Sequence, residues 1–146
     1  MSMTDTMETA LLALLFNNTT LANMGDSTGV VGSTTNGVFY VSLHTADPTK
    51  TGNQTTNESA YTSYARVSVV RTTAGFSVSG NTVSNAGTIT FPTCTGGSSV
   101  ITYFGVGYGS TGTGNLQFSG ALNSSLTVSN NITPAFAASA LTFTAD

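Results

Sequence analysis

The sequence predicts an all-β fold: a single β-sandwich or jelly-roll-like domain of about eight strands behind a short N-terminal amphipathic helix. Three observations carry that expectation. Val38 to Thr45 (Val-Phe-Tyr-Val-Ser-Leu-His-Thr) alternates Phe39, Val41 and Leu43 with Tyr40, Ser42 and His44, and a period of two puts the first set on one face of a pleated strand. After Tyr64 the same β-branched and aromatic alternation recurs in shorter pieces separated by turn residues. At 146 residues the chain has room for one core.

In chain order, Asp5 and Glu8 have the spacing of an N-cap and its N3 acid. Met7, Ala10, Leu11, Leu14 and Leu15 recur at helical spacing, Leu12 and Phe16 widen the stripe, and Asn17 and Asn18 end it. A helix of about a dozen residues does not hold alone in water. Its stripe therefore packs on something, either an open end of its own sandwich or a neighbouring subunit. Residues 19 to 37 carry Gly25, Gly29, Gly32 and Gly37 with Val30-Val31 as an apolar pair, and read as a linker with room for one brief strand. The expected organisation is a helix over 1–18, a flexible linker over 19–37 and the β-sandwich domain over 38–146.

Ala46 to Ser63 is a polar excursion longer than ordinary connections, holding Asp47, Lys50 and Glu58 and ending near Tyr61 and Tyr64. It reads as an ordered contact loop. Short strands follow at Tyr64 to Arg71, Phe76 to Val78, Val83 and Thr88 to Phe91, with Gly80-Asn81 as a hairpin signal and Pro92 as a stop. After a second glycine loop, Val100 to Tyr108 is expected to place Val100, Thr102, Phe104, Val106 and Tyr108 on one face. Ile101, Tyr103, Gly105 and Gly107 fall on the other, where two glycines invite a bulge or the close approach of another backbone. Asn115 to Leu122, Ser125 to Val128 and Ala140 to Thr144 complete the set, with Pro134-Ala135-Phe136 as a crossing.

Composition narrows the function. Lys50, Arg66 and Arg71 are the only strong bases, too few for the basic footprint that phosphate backbones require, so no nucleic-acid partner is expected. Charged residues make up 6% against the usual figure of about 25%. Ser, Thr and Asn supply the polar surface instead. Such a surface carries little self-repulsion and suits dense arrays of identical copies. Cys94 stands alone, so no intrachain disulfide is expected. No basic segment precedes the first apolar run, which Glu8 and Thr9 interrupt, so neither a signal peptide nor a membrane span is expected, and synthesis is placed in a cytoplasm.

Catalytic groups are scarce. His44 ends its strand out of phase with the apolar face and reads as a structural imidazole bonding to the loop it begins. Asp26, Asp47 and Glu58 lie in loops, where a rigid carboxylate pair is not built. One His and one Cys give no metal-ligand spacing, and the Gly-X-Gly patterns lack the following helix of a phosphate cradle. No catalytic, cofactor-binding or metal-binding residue is assigned, and the chain reads as a non-enzyme. The five tyrosines suit packing better than a sugar platform.

Particular strings carry a resemblance: Leu43-His44-Thr45-Ala46-Asp47-Pro48, Gly52-Asn53-Gln54-Thr55-Thr56-Asn57-Glu58, Tyr64-Ala65-Arg66-Val67, Phe91-Pro92, Thr95-Gly96-Gly97, Phe104-Gly105-Val106-Gly107 and Ser119-Gly120-Ala121-Leu122 leading to Val128-Ser129-Asn130. With the N-terminal helix, they resemble a family of small tailed-bacteriophage virion proteins whose members are labelled tail-fibre-like or capsid decoration (cement) proteins. The resemblance implies a non-enzymatic part of the virion, made in the bacterial host cytoplasm and present in many copies. In the decoration form it sits on the capsid surface, commonly as a homotrimer, with the major capsid protein and its own copies as partners. The alternative is a tail or tail-fibre component, or an adhesin for host-surface glycan. The candidate partner-binding residues are Leu11, Leu14 and Leu15 on the helix and Lys50, Gln54, Asn57 and Glu58 in the long loop.

Overall fold

The structure, a computed structural model, describes residues 3–145. It consists mostly of antiparallel strands with one short N-terminal helix. Helix α1 (Asp5–Asn17) is followed by β1 (Val38–His44), β2 (Val67–Val70), β3 (Phe76–Ser79), β4 (Thr82–Asn85), β5 (Ile89–Thr90), β6 (Ser98–Gly107), β7 (Leu116–Ser129), β8 (Ala135–Phe136) and β9 (Thr142–Thr144). They form a four-stranded sheet in the order β2-β1-β6-β7, a three-stranded sheet β3-β4-β9 and a two-stranded sheet β5-β8. The chain divides into two compact units. One takes in Met1–Val38, Val70–Thr88 and Ala137–Asp146, the other Phe39–Val69 and Ile89–Phe136. The first unit draws segments from the helix, linker and domain spans of the linear order, and the second lies wholly within 38–146.

In the first unit, Thr4 rather than Asp5 is the N-cap of α1; it is extended and makes no side-chain cap bond. Asp5 and Glu8 fall in the first turn, where acids complement the helix dipole. Asn18, left-handed at φ 55°, ends the helix. The buried positions are Glu8, Leu12 and Phe16, whereas Met7, Ala10, Leu11, Leu14 and Leu15 are only half-buried. The expected stripe is thus displaced, because this helix is apolar on most of its circumference and periodicity alone does not choose a face. Phe16 chooses it: its ring meets Phe76 edge-on at 5.0 Å and Phe143 at 5.4 Å. The helix accordingly packs on β3 and β4 of its own chain. Arg71 holds its end, donating from Nε to the Leu15 carbonyl at 2.6 Å and from Nη2 to the Leu14 carbonyl at 2.9 Å, where a cation suits the last turn. The β3–β4 hairpin turns at Gly80-Asn81 as expected, with Ser79 opposite Thr82 and Gly80 at φ 58°, a conformation glycine adopts without penalty.

In the second unit, Val41 pairs with Val106 and Leu43 with Phe104, so the apolar face read from the sequence continues across β1 and β6. Both faces of β6 are covered, with Ile101 buried as well as Phe104 and Val106, while Val100 and Tyr108, expected on the apolar face, are exposed. The register with β7 shifts between Ile101, opposite Leu126, and Tyr103, opposite Ala121. The shift leaves Leu122 to Ser125 as a bulge in β7. The two strands expected at 115–122 and 125–128 are therefore one strand, and the polar residues between them mark a bulge instead of a turn. Pro134-Ala135-Phe136 is also more than a crossing: Ala135 and Phe136 pair with Thr90 and Ile89.

Candidate functional site

The long connection after β1 builds the most elaborate polar site of the second unit. It folds back on the strand it leaves, with Thr45 N–H donating to the Asn57 carbonyl at 2.8 Å and Ser59 N–H to the Leu43 carbonyl at 2.8 Å. Short-range side-chain bonds set its turns. Asp47 Oδ1 accepts from Thr49 N–H at 2.8 Å, Asn53 Oδ1 accepts from Thr55 N–H at 2.9 Å, and Asn57 Nδ2 donates to the Asp47 carbonyl at 2.9 Å. The first two are the Asx turns that Asp and Asn favour, and the third ties the two ends of the loop together. The loop is thus tied by its own residues.

Glycines explain where it lies. Gly105 and Gly107 stand opposite Ser42 and Tyr40 on the second face of the sheet. A Cβ at Gly107 would come within 2.4 Å of Gln54 Cδ, and one at Gly114 within 2.5 Å of Gln54 Oε1. Gln54 fills that slot at 0% exposure, accepting from Gly109 N–H at 2.7 Å while its own N–H donates to the Gly114 carbonyl at 3.0 Å. At Gly107 the space is taken by the Asn115 backbone and this buried glutamine side chain, and at Gly105 by the side chains of His44, Ser42 and Leu116.

Beside it, His44 and Ser42 are also fully buried. His44 Nδ1 lies 2.8 Å from the Thr56 carbonyl, which only accepts, so Nδ1 carries the proton. Nε2, 2.8 Å from Ser42 Oγ, then accepts from the hydroxyl. Burial lowers the His44 pKa against the opposing pull of the Thr56 bond and of Glu58, so the ring is held neutral. A serine–histidine contact is present, but a Cβ at Gly105 would already touch both His44 Nε2 and Ser42 Oγ, and no substrate atom fits between them and the sheet. The imidazole serves the loop.

The third component is ionic. Arg66 meets Glu58 through Nε–Oε1 at 2.7 Å and Nη2–Oε2 at 2.7 Å, and donates to the carbonyls of Gly109 at 2.9 Å and Gly112 at 2.7 Å. Tyr64 Oη donates to Glu58 Oε1 at 2.8 Å and accepts from Leu43 N–H at 3.0 Å. The Glu58 bond, the largest influence, raises the Arg66 pKa; burial above all drives the Tyr64 phenol far up. A cavity of about 240 Å³ opens over this cluster, lined by Glu58, Arg66 and the hydroxyl residues Ser110 and Thr111 among others. A second, of about 210 Å³, lies between Thr49, Lys50 and Gly52 and the start of β7. With its two charges cancelled internally, the site offers hydrogen bonds and no net field. Among the described residues no cluster of His, Cys, Asp and Glu is placed to hold a metal ion, and no helix is long and apolar enough to cross a membrane.

Of the sequence-predicted residues, the structure brings Gln54, Asn57 and Glu58 into this loop cluster. Gln54 is buried and Glu58 is tied to Arg66, while Asn57 and Lys50 are exposed. Leu11, Leu14 and Leu15 belong to α1 of the other unit. Sequence reasoning passed over Arg66, Tyr64 and Ser42. The signal that could have found them is charge scarcity: in so neutral a chain, Glu58 and Arg66 at the two ends of one loop segment are each other's most available counter-ion.

A family model described as Podophage GP4 fiber I protein gp80 matches residues 2–144. No curated protein matches the chain.

Proposed function

The chain belongs to the podophage GP4 fiber I protein gp80 family, and on that premise we propose that it is a non-enzymatic structural subunit of a phage fibre, assembled in the virion by contact with its own copies and with a neighbouring structural protein. The observation that carries this reading is the internal use of the reactive groups. His44 and Ser42 are spent on each other and on Thr56, Glu58 on Arg66 and Tyr64, and the loop surface left over is mostly amide and hydroxyl, with Asp47 and Lys50 as its exposed charges. Lys50 and Asn57 at the loop surface and the half-buried Leu11, Leu14 and Leu15 are the proposed contact residues.

The family description favours the fibre over the capsid decoration that the resemblance put first, and position in the particle separates them. Cryo-EM of the virion is expected to place this chain in fibres at the tail; copies spread over the major capsid lattice would overturn the fibre reading in favour of decoration. The cavity at Glu58, Ser110 and Thr111 supports a second role within the fibre, as a binding site for a neutral host-surface glycan. A host-glycan array probed with the purified chain tests that role, with Thr111→Tyr expected to abolish any signal. An array with no signal would remove it.

A further inference from the structure

We propose that the outer edge of β7 pairs antiparallel with β7 of a second copy, joining two four-stranded sheets across a two-fold axis. β7 is 14 residues long and terminates the sheet, with β6 on one side. An edge of that length presents a row of backbone donors and acceptors, and natural proteins guard such edges with lysines, prolines or inward charges. None of these guards occurs within the strand. From Thr72 to Ala145 the chain contains no Asp, Glu, Lys, Arg or His, and its prolines, Pro48, Pro92 and Pro134, all lie outside β7.

Two bulges are the protective devices, one at 122–125 and one at Gln117, where Val106 pairs with Phe118 but Gly107 with Leu116. They spare the segment Phe118–Ala121, which pairs in regular register with Tyr103–Val106. There Phe118 and Gly120 lie on the apolar face opposite Val106 and Phe104 and are only half-buried, so the core face runs out to the edge without closing.

Charge selects the occupant. A partner of different chemistry would be recognised by complementary charge, and β7 has none to offer. A second copy needs the opposite condition, that no like charges meet when the strand faces itself, and an uncharged strand meets it along its whole length. Lys50 flanks the groove beside Leu116–Ser119, but it is exposed and its repulsion is screened at ordinary salt. A two-fold contact closes at two copies, where the family resemblance implies three. The inference gives the copy-to-copy contact of the fibre reading its surface, and rests on that reading only for its setting in the particle.

The test uses the purified full chain, so its failure removes the edge contact without bearing on where the chain sits in a virion. Sedimentation equilibrium is expected to give twice the 14.8 kDa chain mass, falling to one chain for Ser119→Lys with Ala121→Lys, both at exposed positions. In case that variant misfolds, amide hydrogen exchange of the wild type supplies a second readout. Residues 118–121 are expected to exchange about tenfold faster on dilution below the dimer midpoint, with Phe76–Ser79 unchanged. A wild-type monomer, a trimer, a dimer that survives both lysines, or exchange at 118–121 that ignores concentration would each overturn the proposal.

Discussion

The two units each fasten a segment to a sheet, and they do so by opposite means. In the first, α1 is held by aromatic packing: Phe16 sits fully buried against Phe76 and Phe143, and Arg71 adds bonds to two carbonyls. In the second, the loop after β1 is held by polar side chains, with Gln54 and His44 buried beside glycines and the Glu58–Arg66 pair largely buried beneath a cavity. Apolar packing yields in proportion to the surface removed. A buried polar cluster is nearer to all-or-none, since each partner left behind keeps its desolvation cost. The helix is therefore the mutable attachment and the loop the brittle one.

The largest effect is expected at the apolar attachment. Phe16→Ala removes the ring on which both aromatic contacts converge and is expected to cost about 4 kcal/mol, read as a shift of the urea midpoint. Phe16→Leu, which refills most of the space, is expected to recover much of it. Next comes the ion pair. Glu58→Gln leaves Arg66 without its counter-ion and is expected to cost about 3 kcal/mol. The double replacement Glu58→Leu with Arg66→Met is expected to lose clearly less than the single one, as a double-mutant cycle would report. If the double variant were the worse of the two, the loop would not be held by mutual dependence, and the contrast with the helix would fail.

A smaller loss tests the glycine slot. Gly107→Ala puts a Cβ 2.3 Å from the Asn115 carbonyl oxygen and 2.4 Å from Gln54 Cδ and is expected to cost about 2 kcal/mol through overpacking. Adding Gln54→Ala, which removes the side-chain clash but leaves the one with the Asn115 backbone, is expected to cost somewhat less in the Gly107→Ala background than in the wild type. Equal costs in the two backgrounds would show that the slot does not hold the side chain.

The smallest effect is a pH dependence confined to the second unit. Burial lowers the His44 pKa from its ordinary value of 6.5, so below that value the unfolded chain binds a proton that the folded chain refuses. The stability His44 contributes is therefore complete above pH 6.5 and declines as the pH falls toward the folded value. Denaturation midpoints followed from pH 7.5 down to 5 are expected to drift downward, and less so in His44→Gln. A drift in the other direction would mean the imidazole is held charged.

Much of this was legible beforehand, for reasons that particular residues make plain. Phe39, Val41 and Leu43 read correctly because a strand's two faces follow from a period of two. Gly80-Asn81 read correctly because a two-residue hairpin needs a residue free to take positive φ. The bulge in β7 did not: Asn123 and Ser124 look alike in a turn and in a bulge, and only the pairing of β6 tells them apart. The helix face was misjudged because leucines on nearly every side leave the period without contrast. In the candidate site, His44 bonding to the loop it begins was foreseen, and so was a close approach at Gly105 and Gly107. That side chains fill the space, Gln54 beside Gly107, although it looked like a surface contact, and His44 and Ser42 beside Gly105, was not.

By itself, the amino-acid order determined the strand-rich class, the single helix, the tight hairpin and the neutral, hydroxyl-rich character of the surface. Each depends on residues within a few positions of one another, or on composition summed over the chain. Only the tertiary structure decided which side of the helix is buried, that Arg66 finds Glu58 and the carbonyls of the 109–112 turn, and that Gln54 goes inside. Those outcomes turn on encounters between distant segments. There the cost of burying a polar or charged group is set by whichever partner the fold delivers, and no local pattern encodes that delivery.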